Sequence, residues 1–282
     1  MDVLSQLNVL ATGISMGESP RWHDGRLWFS DWGAQEIVAV DLNGNKEVMV
    51  KVPFFLPFCI DWLPGLHSDG RLLIVSGREG RMVRLEADGS LVTHADLSGI
   101  AAGWNEIVVD GRGNAYVNSA GAIALVTPDG SVRKVAEGGA FPNGIAVTAD
   151  NGTLIMAESH GKKLTAFDIA ADGSLSNRRV WADLKNGVPD GICIDQEGAV
   201  WYADVPNKCC VRVREGGEVL RTVELDRGGF SCVLGGPKSS TLFITANEWR
   251  GMEKVAETAA ALTGQILAIE THVPGAGWPR RS

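Results

Sequence analysis

Short apolar runs separated by glycine-containing turns recur along almost the whole chain. The first copy is "GESPRWHDGRLWFSDW", and later copies read "WNEIVVDGRGNAYVNS" from Trp104, "PNGIAVTADNGTLIMAES" from Pro142 and "PDGICIDQEGAVWYAD" from Pro189. Two more divergent copies begin at Pro57 and Phe230. Each copy has one polar or aromatic residue, an apolar run, a turn and a second apolar run. The pattern predicts a protein built from six copies of one strand-rich unit.

The turns divide each copy into four predicted strands. In the first copy these are Pro20–His23, Leu27–Ser30, Glu36–Asp41 and Glu47–Val52. Asp-Gly and Asn-Gly lie between them, and these pairs favour the positive φ that tight hairpins need. Aligned copies share one phase at six residues: Glu18, Phe58, Asn105, Asn143, Asp190 and Ser231. Their intervals of 40, 47, 38, 47 and 41 residues match the length of a four-stranded propeller blade.

We therefore predict an all-β fold, a six-bladed β-propeller that forms one domain over residues 1–282. Residues 2–14 are predicted to form a strand that closes the last blade. A two-sheet sandwich also has short, regularly spaced strands, but it does not explain a repeat carried through the whole chain. The segment Gly251–Thr263 departs from the strand pattern because it is rich in Ala, Glu and Lys. It predicts a short helix or a mobile insertion, and it is a candidate lid.

The net charge limits the kinds of partner that we expect, and the cysteine content indicates the cellular compartment. The formal net charge is −8 and no stretch is strongly basic, so nucleic acid and anionic membranes are poor partners. The N-terminus lacks the pattern of a secretory signal, and no apolar stretch approaches the roughly 20 residues of a membrane span. The five cysteines are odd in number and form no CxxC pair, which favours reduced thiols. We expect a cytoplasmic protein, either a monomer or a weak oligomer.

The shared-phase residues are the candidate site. The innermost strands of a propeller line the central channel, so corresponding residues should form a ring at one mouth. Five of the six are polar, and Phe58 would be an apolar wall. The alternative is that an Asn or Asp at a strand start bonds only the local backbone. If the ring forms, its carboxylates and amides are all oxygen donors, which suit one hard divalent cation: Ca²⁺ first, then Mg²⁺ or Mn²⁺, with Zn²⁺ also able to take such ligands.

A second polar set lies six residues beyond the turn glycine in five of the copies. Its members end the second strand of their copy and should lie near the same mouth: Asp31, Ser76, Ser119, Glu158 and Asp204. They are either contacts to the cation ligands and the substrate, or ordinary polar strand ends.

Four motifs at blade spacing carry a family resemblance. "GESPRW", "PNG", "PDGICID" and "SCVLGG" occur in this order, and the chain resembles the SMP-30/gluconolactonase/luciferin-regenerating-enzyme family of regucalcin-like sugar lactonases from Gly17 to "GQILAI". The resemblance implies a propeller whose divalent metal is held by the residues matching Glu18, Asn143 and Asp190. It also implies that Asn105 matches a position that contacts substrate.

The chain departs from the sugar-lactone-hydrolysing members of that family at two places. Gly103 stands where those members carry an arginine, and the short "NSAGAIAL" from Asn118 replaces a longer loop with an acidic residue. Small aldonolactones are therefore only the default substrates.

The predicted activity is metal-dependent opening of a lactone, a small cyclic ester. The metal would polarise the ester carbonyl, and Asp190 or Glu18 would act as general base toward the attacking water. The predicted substrate contacts are Asn105, Asn118, Phe58, His160 and Trp249. Two alternatives stay open: hydrolysis of an organophosphate or another activated ester on the same metal, and a non-enzymatic propeller that binds metal or protein.

Overall fold

A computed structural model describes residues 6–64 and 70–277. Within these residues, twenty-four strands form six antiparallel sheets of four strands each. This arrangement confirms the predicted six-bladed β-propeller, one sheet for each blade.

The first twelve strands are β1 (Asn8–Ile14), β2 (Gly17–His23), β3 (Arg26–Asp31), β4 (Glu36–Val40), β5 (Lys46–Lys51), β6 (Phe58–Leu63), β7 (Arg71–Ser76), β8 (Arg81–Leu85), β9 (Leu91–Asp96), β10 (Ile107–Val109), β11 (Ala115–Asn118) and β12 (Ile123–Val126). The remaining strands are β13 (Val132–Ala136), β14 (Pro142–Val147), β15 (Thr153–Glu158), β16 (Lys163–Ile169), β17 (Leu175–Asp183), β18 (Pro189–Ile194), β19 (Val200–Asp204), β20 (Cys209–Val213), β21 (Val219–Glu224), β22 (Gly228–Gly235), β23 (Thr241–Asn247) and β24 (Gly264–Glu270). The four strands predicted in the first copy each overlap the observed one.

The chain divides into two compact units. The first contains the N-terminal residues up to Pro53, Asp190–Arg214 and Glu218–Ala276. Its sheets are β2–β5, β18–β21 and a sheet in the order β1-β24-β23-β22. In the last of these, β1 runs antiparallel to β24, with Ile14 opposite Gly264. The N-terminal strand thus completes the last blade, as predicted. It begins at Asn8, and residues 2–5 of the predicted span lie outside the described residues.

The second unit runs from Phe54 to Pro189 and includes Glu215–Gly217. It contains the sheets β6–β9, β10–β13 and β14–β17. Its core consists of apolar side chains from neighbouring sheets, and Trp104, Leu73 and Val117 belong to one such buried cluster. Burying these side chains removes apolar surface from water, the main favourable term in folding.

The turns between strands follow the predicted chemistry. Gly44 and Gly173 adopt positive φ values of 83° and 79°, which glycine reaches without strain. At the first of these turns, the Asp41 carboxylate accepts hydrogen bonds from the backbone N–H groups of Asn43 and Asn45, at 2.8 and 2.9 Å. The side chain thereby replaces a backbone partner and fixes the hairpin.

The segment that departs from the strand pattern is helical. A 3₁₀ turn at Met252–Lys254 leads into α1 (Val255–Ala260). This confirms the short helix predicted within Gly251–Thr263. No helix in the described ranges has both the length and the apolar character of a membrane-crossing segment.

Candidate active site

Strand irregularities mark the shared-phase positions of three sheets. The register of β2 against β3 shifts between Glu18 and Arg21, and that of β22 against β23 shifts between Gly229 and Ser231. The register of β14 against β15 shifts immediately around Asn143. A bulge adds a residue to one strand and re-aims its side chains, and bulges are frequent beside active sites. The strands that carry Glu18, Asn143 and Ser231 therefore depart from regular alternation next to these residues.

In the second unit, three hydrogen bonds converge on Asn143. Its Nδ2 donates to Ser159 Oγ at 2.9 Å, and its Oδ1 accepts from Asn105 Nδ2. Its backbone carbonyl accepts from Asn118 Nδ2 at 2.6 Å. The structure thus brings together three of the predicted site residues, and it adds Ser159, which was not predicted.

Asn118 is fully buried, and both ends of its amide bond to backbone. Besides its bond to the Asn143 carbonyl, its Oδ1 accepts the N–H of Glu106 at 3.1 Å. In this structure Asn118 therefore acts as a clamp between the starts of β10 and β14. Its contact with substrate stays a prediction.

In the first unit, Glu18 lies on β2, immediately before a residue with a strained backbone. Its carboxylate is buried, and Oε2 accepts the N–H of Ser19 at 3.1 Å. Ser19 has a φ of 50°, a left-handed conformation that few non-glycine residues adopt. Strain of this kind concentrates at functional sites, where the surrounding structure holds it in place.

Asp190 and Ser231 lie where β18 approaches β22 in the same unit. A Cβ on Gly191, the neighbour of Asp190, would lie 1.8 Å from Ser231 Oγ. Only glycine allows the two strands to come this close. The Ser231 N–H donates to Thr245 Oγ1 at 3.0 Å, which fixes the second strand. Asp190 is partly exposed.

The aromatic candidates lie in different surroundings. Phe58 is fully buried and presents no surface to solvent. Trp249 makes an edge contact with Phe230, with ring centroids 5.6 Å apart. His160 is exposed and stacks on Phe141, with centroids 4.4 Å apart. Their roles toward substrate stay predictions.

The second polar set is buried and bonds largely to nearby turns. Asp31 accepts hydrogen bonds from the N–H groups of Ser15 and Met16, at 3.1 and 2.8 Å. Burial raises the pKa of Asp31, although these bonds oppose the rise. Asp204 accepts from the side chain of Asn207 at 2.9 Å. These contacts favour ordinary polar strand ends over substrate contacts.

Glu158 belongs to this set and holds the loop that leads to Asn143. Its carboxylate accepts from the N–H of Ala140 at 2.8 Å and from Thr165 Oγ1 at 2.5 Å, and it pairs with Arg178 at 3.0 Å. Burial by itself would raise its pKa, but the hydrogen bonds and the nearby cations outweigh burial and lower it. Glu158 is therefore a charged structural anchor.

The chemistry of the predicted ligands fits a hard divalent cation. Glu18 and Asp190 have carboxylates, and Asn143 has an amide carbonyl oxygen, Oδ1. That oxygen has two lone pairs, of which Asn105 uses one. In the part of the chain that the structure describes, no three His, Cys, Asp or Glu side chains form a metal-holding group. The predicted set differs from such a group because its third member is an amide.

Comparison with known proteins identifies the family. Residues 16–248 match the SMP-30/Gluconolactonase/LRE-like region. The chain belongs to this family. The match confirms the resemblance carried by the four motifs, and it spans all six shared-phase residues.

Relatives of this SMP-30/gluconolactonase family protein carry several names. It is 28% identical to regucalcin of Xenopus laevis, over 84% of this chain and 85% of the relative. It is 25% identical to pentonolactonase of Haloferax volcanii, over 90% and 91% of the two chains. It is 26% identical to diisopropyl-fluorophosphatase of Loligo vulgaris, over 76% and 78%.

Solved structures share the fold of this family member. A luciferin-regenerating enzyme superposes with a TM-score of 0.81 at 20% identity, covering 98% of this chain and 99% of the other. At this level of identity the likeness shows the propeller fold alone.

Three residues near Asn143 escaped the sequence analysis. Ser159 looks like any polar residue after a strand. Glu106 is buried beside Asn105, and its Oε1 accepts the N–H of Ile107 at 2.9 Å. Phe141 is 47% exposed at a φ of 57°. Glu106 follows the shared-phase residue Asn105, and Ser159 follows Glu158 of the second polar set. The pattern of apolar residues does not distinguish such neighbours from other residues.

Proposed function

We propose that this protein is a divalent-metal-dependent hydrolase that opens a lactone. The observation that carries the proposal is the family match over residues 16–248, since it spans Glu18, Asn143 and Asp190 at one phase of the repeat. Further support comes from a relative named as a pentonolactonase, which aligns over 90% of this chain. A small-molecule lactone is the proposed partner, and the cytoplasm is the proposed compartment.

Glu18, Asn143 and Asp190 would hold the cation, with Ca²⁺ the first choice and Zn²⁺, Mn²⁺ or Mg²⁺ as the alternatives. Two carboxylates balance the charge of a divalent ion, and the amide oxygen adds a neutral ligand. When bound, the cation supplies Lewis-acid polarisation of the ester carbonyl.

A carboxylate of the same set would act as general base. Asp190 or Glu18 takes a proton from the water that attacks the carbonyl carbon. The ring C–O bond then breaks, and the alkoxide that leaves receives a proton, so one water is added across the ester. Asp190 is partly exposed and Glu18 is buried, which favours Asp190 for the contact with water.

Asn105 would contact the substrate through its side-chain oxygen, Oδ1. Both hydrogens of its Nδ2 are already used, by the Pro142 carbonyl at 3.0 Å and by Asn143 Oδ1. Its Oδ1 can only accept a hydrogen bond. This favours a lactone that carries a hydroxyl group.

Hydrolysis of a panel of lactones tests the proposal. The protein is stripped of metal, resupplied with each of the four cations, and compared with Asp190→Ala and with Asp129→Ala, which alters an exposed turn. We expect activity to return with one cation in the wild type and in Asp129→Ala, and to be lost in Asp190→Ala. Cation binding with no turnover of any lactone would contradict the lactonase assignment.

Hydrolysis of an organophosphate is the second candidate function. It is favoured by the relative named diisopropyl-fluorophosphatase, which aligns over 76% of this chain. A cation that polarises a C=O bond can also polarise a P=O bond. Turnover of a fluorophosphate by metal-loaded protein that leaves every lactone intact would select this candidate.

A further inference from the structure

We infer that Ser159 is a positioning residue that fixes which atom of the Asn143 amide faces the cation. The inference rests on the proposed function, because it concerns a proposed ligand. It starts from a chain of hydrogen bonds in the second unit. The chain leads from Asn105 through Asn143 and Ser159 to the carbonyl of Pro189.

The direction of every bond in this chain is determined. The Pro189 carbonyl can only accept, so Ser159 Oγ donates its single hydrogen to it, at 2.6 Å. The hydroxyl must then accept from Asn143, at 2.9 Å, and the atom facing it must be Nδ2. Oδ1 consequently faces the other way, toward Asn105.

Ser159 is itself held firmly. It is 5% exposed, and its N–H donates to the Phe141 carbonyl at 3.0 Å. It follows Glu158, whose carboxylate is anchored by Arg178 and Thr165. These contacts fix the position of the hydroxyl group that accepts the hydrogen bond from Asn143.

The chain ends one covalent step from a second proposed ligand. Pro189 contributes the carbonyl of the peptide bond to Asp190, so Ser159 bonds to the peptide group that precedes this carboxylate. Loss of the hydroxyl would leave the amide of Asn143 held by Asn105 alone and the Pro189 carbonyl without this donor. Removing a partner that orients a metal ligand typically weakens metal affinity by about 10- to 100-fold.

Calorimetric titration with Ca²⁺ tests the inference on three variants. Ser159→Ala removes the hydroxyl, Ser159→Thr keeps it, and Ser98→Ala removes an exposed hydroxyl from a turn of the same unit. We expect Ser159→Ala to bind about 10- to 100-fold more weakly than wild type. Ser159→Thr and Ser98→Ala should stay close to wild type. Thermal unfolding without cation checks that each variant is folded.

A double-mutant cycle separates positioning from a general loss of structure. An aspartate at residue 143 has oxygen on both branches, so its orientation no longer decides whether a donor or an acceptor faces the cation. Ser159→Ala should therefore weaken Ca²⁺ binding less in the Asn143→Asp background than in the wild type. An equal loss in both backgrounds would overturn the inference, as would unchanged affinity in Ser159→Ala. A wild type that binds none of the four cations would overturn the proposed function as well.

A second inference concerns two thiols in the first unit and is independent of the proposed function. Cys193 lies on β18 and Cys232 on β22, and their Sγ atoms are 4.0 Å apart. We propose that a peroxide joins them in a disulfide that links these two strands. Cys232 is 2% exposed, whereas Cys193 is partly exposed. Cys193 is therefore the more accessible residue of the pair, and we assign the first oxidation step to it.

The reaction balances in two steps. The Cys193 thiolate attacks one oxygen of hydrogen peroxide, which leaves a sulfenic acid on Cys193 and releases water after proton transfer. The Cys232 sulfur then attacks the oxidised sulfur and displaces a second water. Two thiols are oxidised and one peroxide is reduced. Burial raises the pKa of both thiols, so the reaction should be slow at neutral pH and faster as the pH rises.

Peptide mapping of peroxide-treated native protein tests this site. We expect a linked peptide pair that contains Cys193 and Cys232, with a mass about 2 Da below the sum of the reduced peptides because two hydrogens are lost. Cys59→Ser, which removes a buried thiol of the other unit, should leave the pair unchanged, whereas Cys193→Ser should abolish it. The proposal fails if the native protein retains both thiols under treatment that oxidises the urea-unfolded chain. It also fails if Cys193 couples to another thiol.

Discussion

At the scale of single residues, Asn118 shows how one amide can hold two strands together. Its Oδ1 accepts from the Glu106 N–H, and its Nδ2 donates to the Asn143 carbonyl. In Asn118→Ala both backbone groups lose this partner, and the free energy of unfolding should fall by about 1–3 kcal/mol. Urea unfolding of the metal-free protein measures the change. Asn43→Ala, at an exposed turn, should shift the value by less than about 0.5 kcal/mol. Equal stability of Asn118→Ala and wild type would contradict the clamp.

Glu158 makes stability depend on pH. Its pKa is lower in the folded protein than its ordinary value of 4.5. The stabilising contribution is therefore fully present above about pH 4.5, and it is lost as the pH falls through the lower folded-state pKa. We expect the urea midpoint of wild type to fall as the pH is lowered below 4.5, and to fall less in Glu158→Gln. Parallel curves for the two proteins would contradict this role.

The orientation of these side chains marks the limit of the sequence analysis. Asn105 and Asn143 were identified from the repeat phase, because a repeat fixes where a residue lies along the chain. The phase does not fix which neighbour an amide bonds. The partner of Asn143 is Ser159, and that contact depends on the path of the loop held by Glu158. The repeat phase also does not determine how deeply a side chain is buried. The full burial of Phe58 could therefore not be predicted from its apolar character alone.

At the scale of strands, the turn residues were sufficient to predict where the strands lie. The register in which neighbouring strands pair could not be predicted. Asp-Gly and Asn-Gly pairs favour a hairpin locally, so the sequence predicts the strands of the first copy within a few residues. The bulge after Glu18 depends on how β2 pairs with β3, and pairing is not encoded in one strand. The short helix could be predicted because its Ala-, Glu- and Lys-rich segment interrupts the two-residue alternation of apolar and polar positions that is typical of strands.

The closure of the last blade by β1 gives a prediction for this strand. Ala11 is 6% exposed and lies opposite Ile266, whereas the next residue, Thr12, is exposed. A carboxylate at residue 11 would be buried without a partner, and a carboxylate at residue 12 would be solvated. Ala11→Asp should therefore lower the free energy of unfolding by about 3 kcal/mol or more, and Thr12→Asp by less than about 1 kcal/mol. Chemical unfolding curves of the two variants check this, and similar curves would mean that β1 does not support the sheet.

The helix α1 carries a buried hydroxyl that weakens it. Thr258 is fully buried, and its Oγ1 has no hydrogen-bond partner in the described structure. Thr258→Val keeps the shape and removes the polar atom, so the free energy of unfolding should rise by up to about 1–2 kcal/mol. Thr258→Ala is the matched control, because it removes the same hydroxyl but leaves a cavity and should be less stable than Thr258→Val. A lower stability of Thr258→Val than of wild type would show that the hydroxyl is hydrogen-bonded.

At the scale of the whole molecule, the three proposed cation ligands are far apart in sequence. Glu18, Asn143 and Asp190 belong to different copies of the repeat, because the shared-phase positions recur at intervals of 38–47 residues along the chain. A ligand that binds only the folded protein would then stabilise residues that are far apart in sequence.

Thermal unfolding at increasing Ca²⁺ concentration checks this consequence. Binding only to the native state adds about 2.7 kcal/mol when free cation reaches about 100 times its Kd. For a chain of this size, 1 kcal/mol shifts the Tm by about 2–4 °C, so a rise of about 5–10 °C is expected. The net charge of −8 also attracts cations without a specific site. Sodium chloride at equal ionic strength and Asp129→Asn, at an exposed turn, control for this general attraction. Asp190→Asn should remove the rise while Asp129→Asn preserves it, because only the first change removes a proposed ligand. An equal rise in the Tm of Asp190→Asn and Asp129→Asn would mean that Ca²⁺ acts through general attraction to the protein surface.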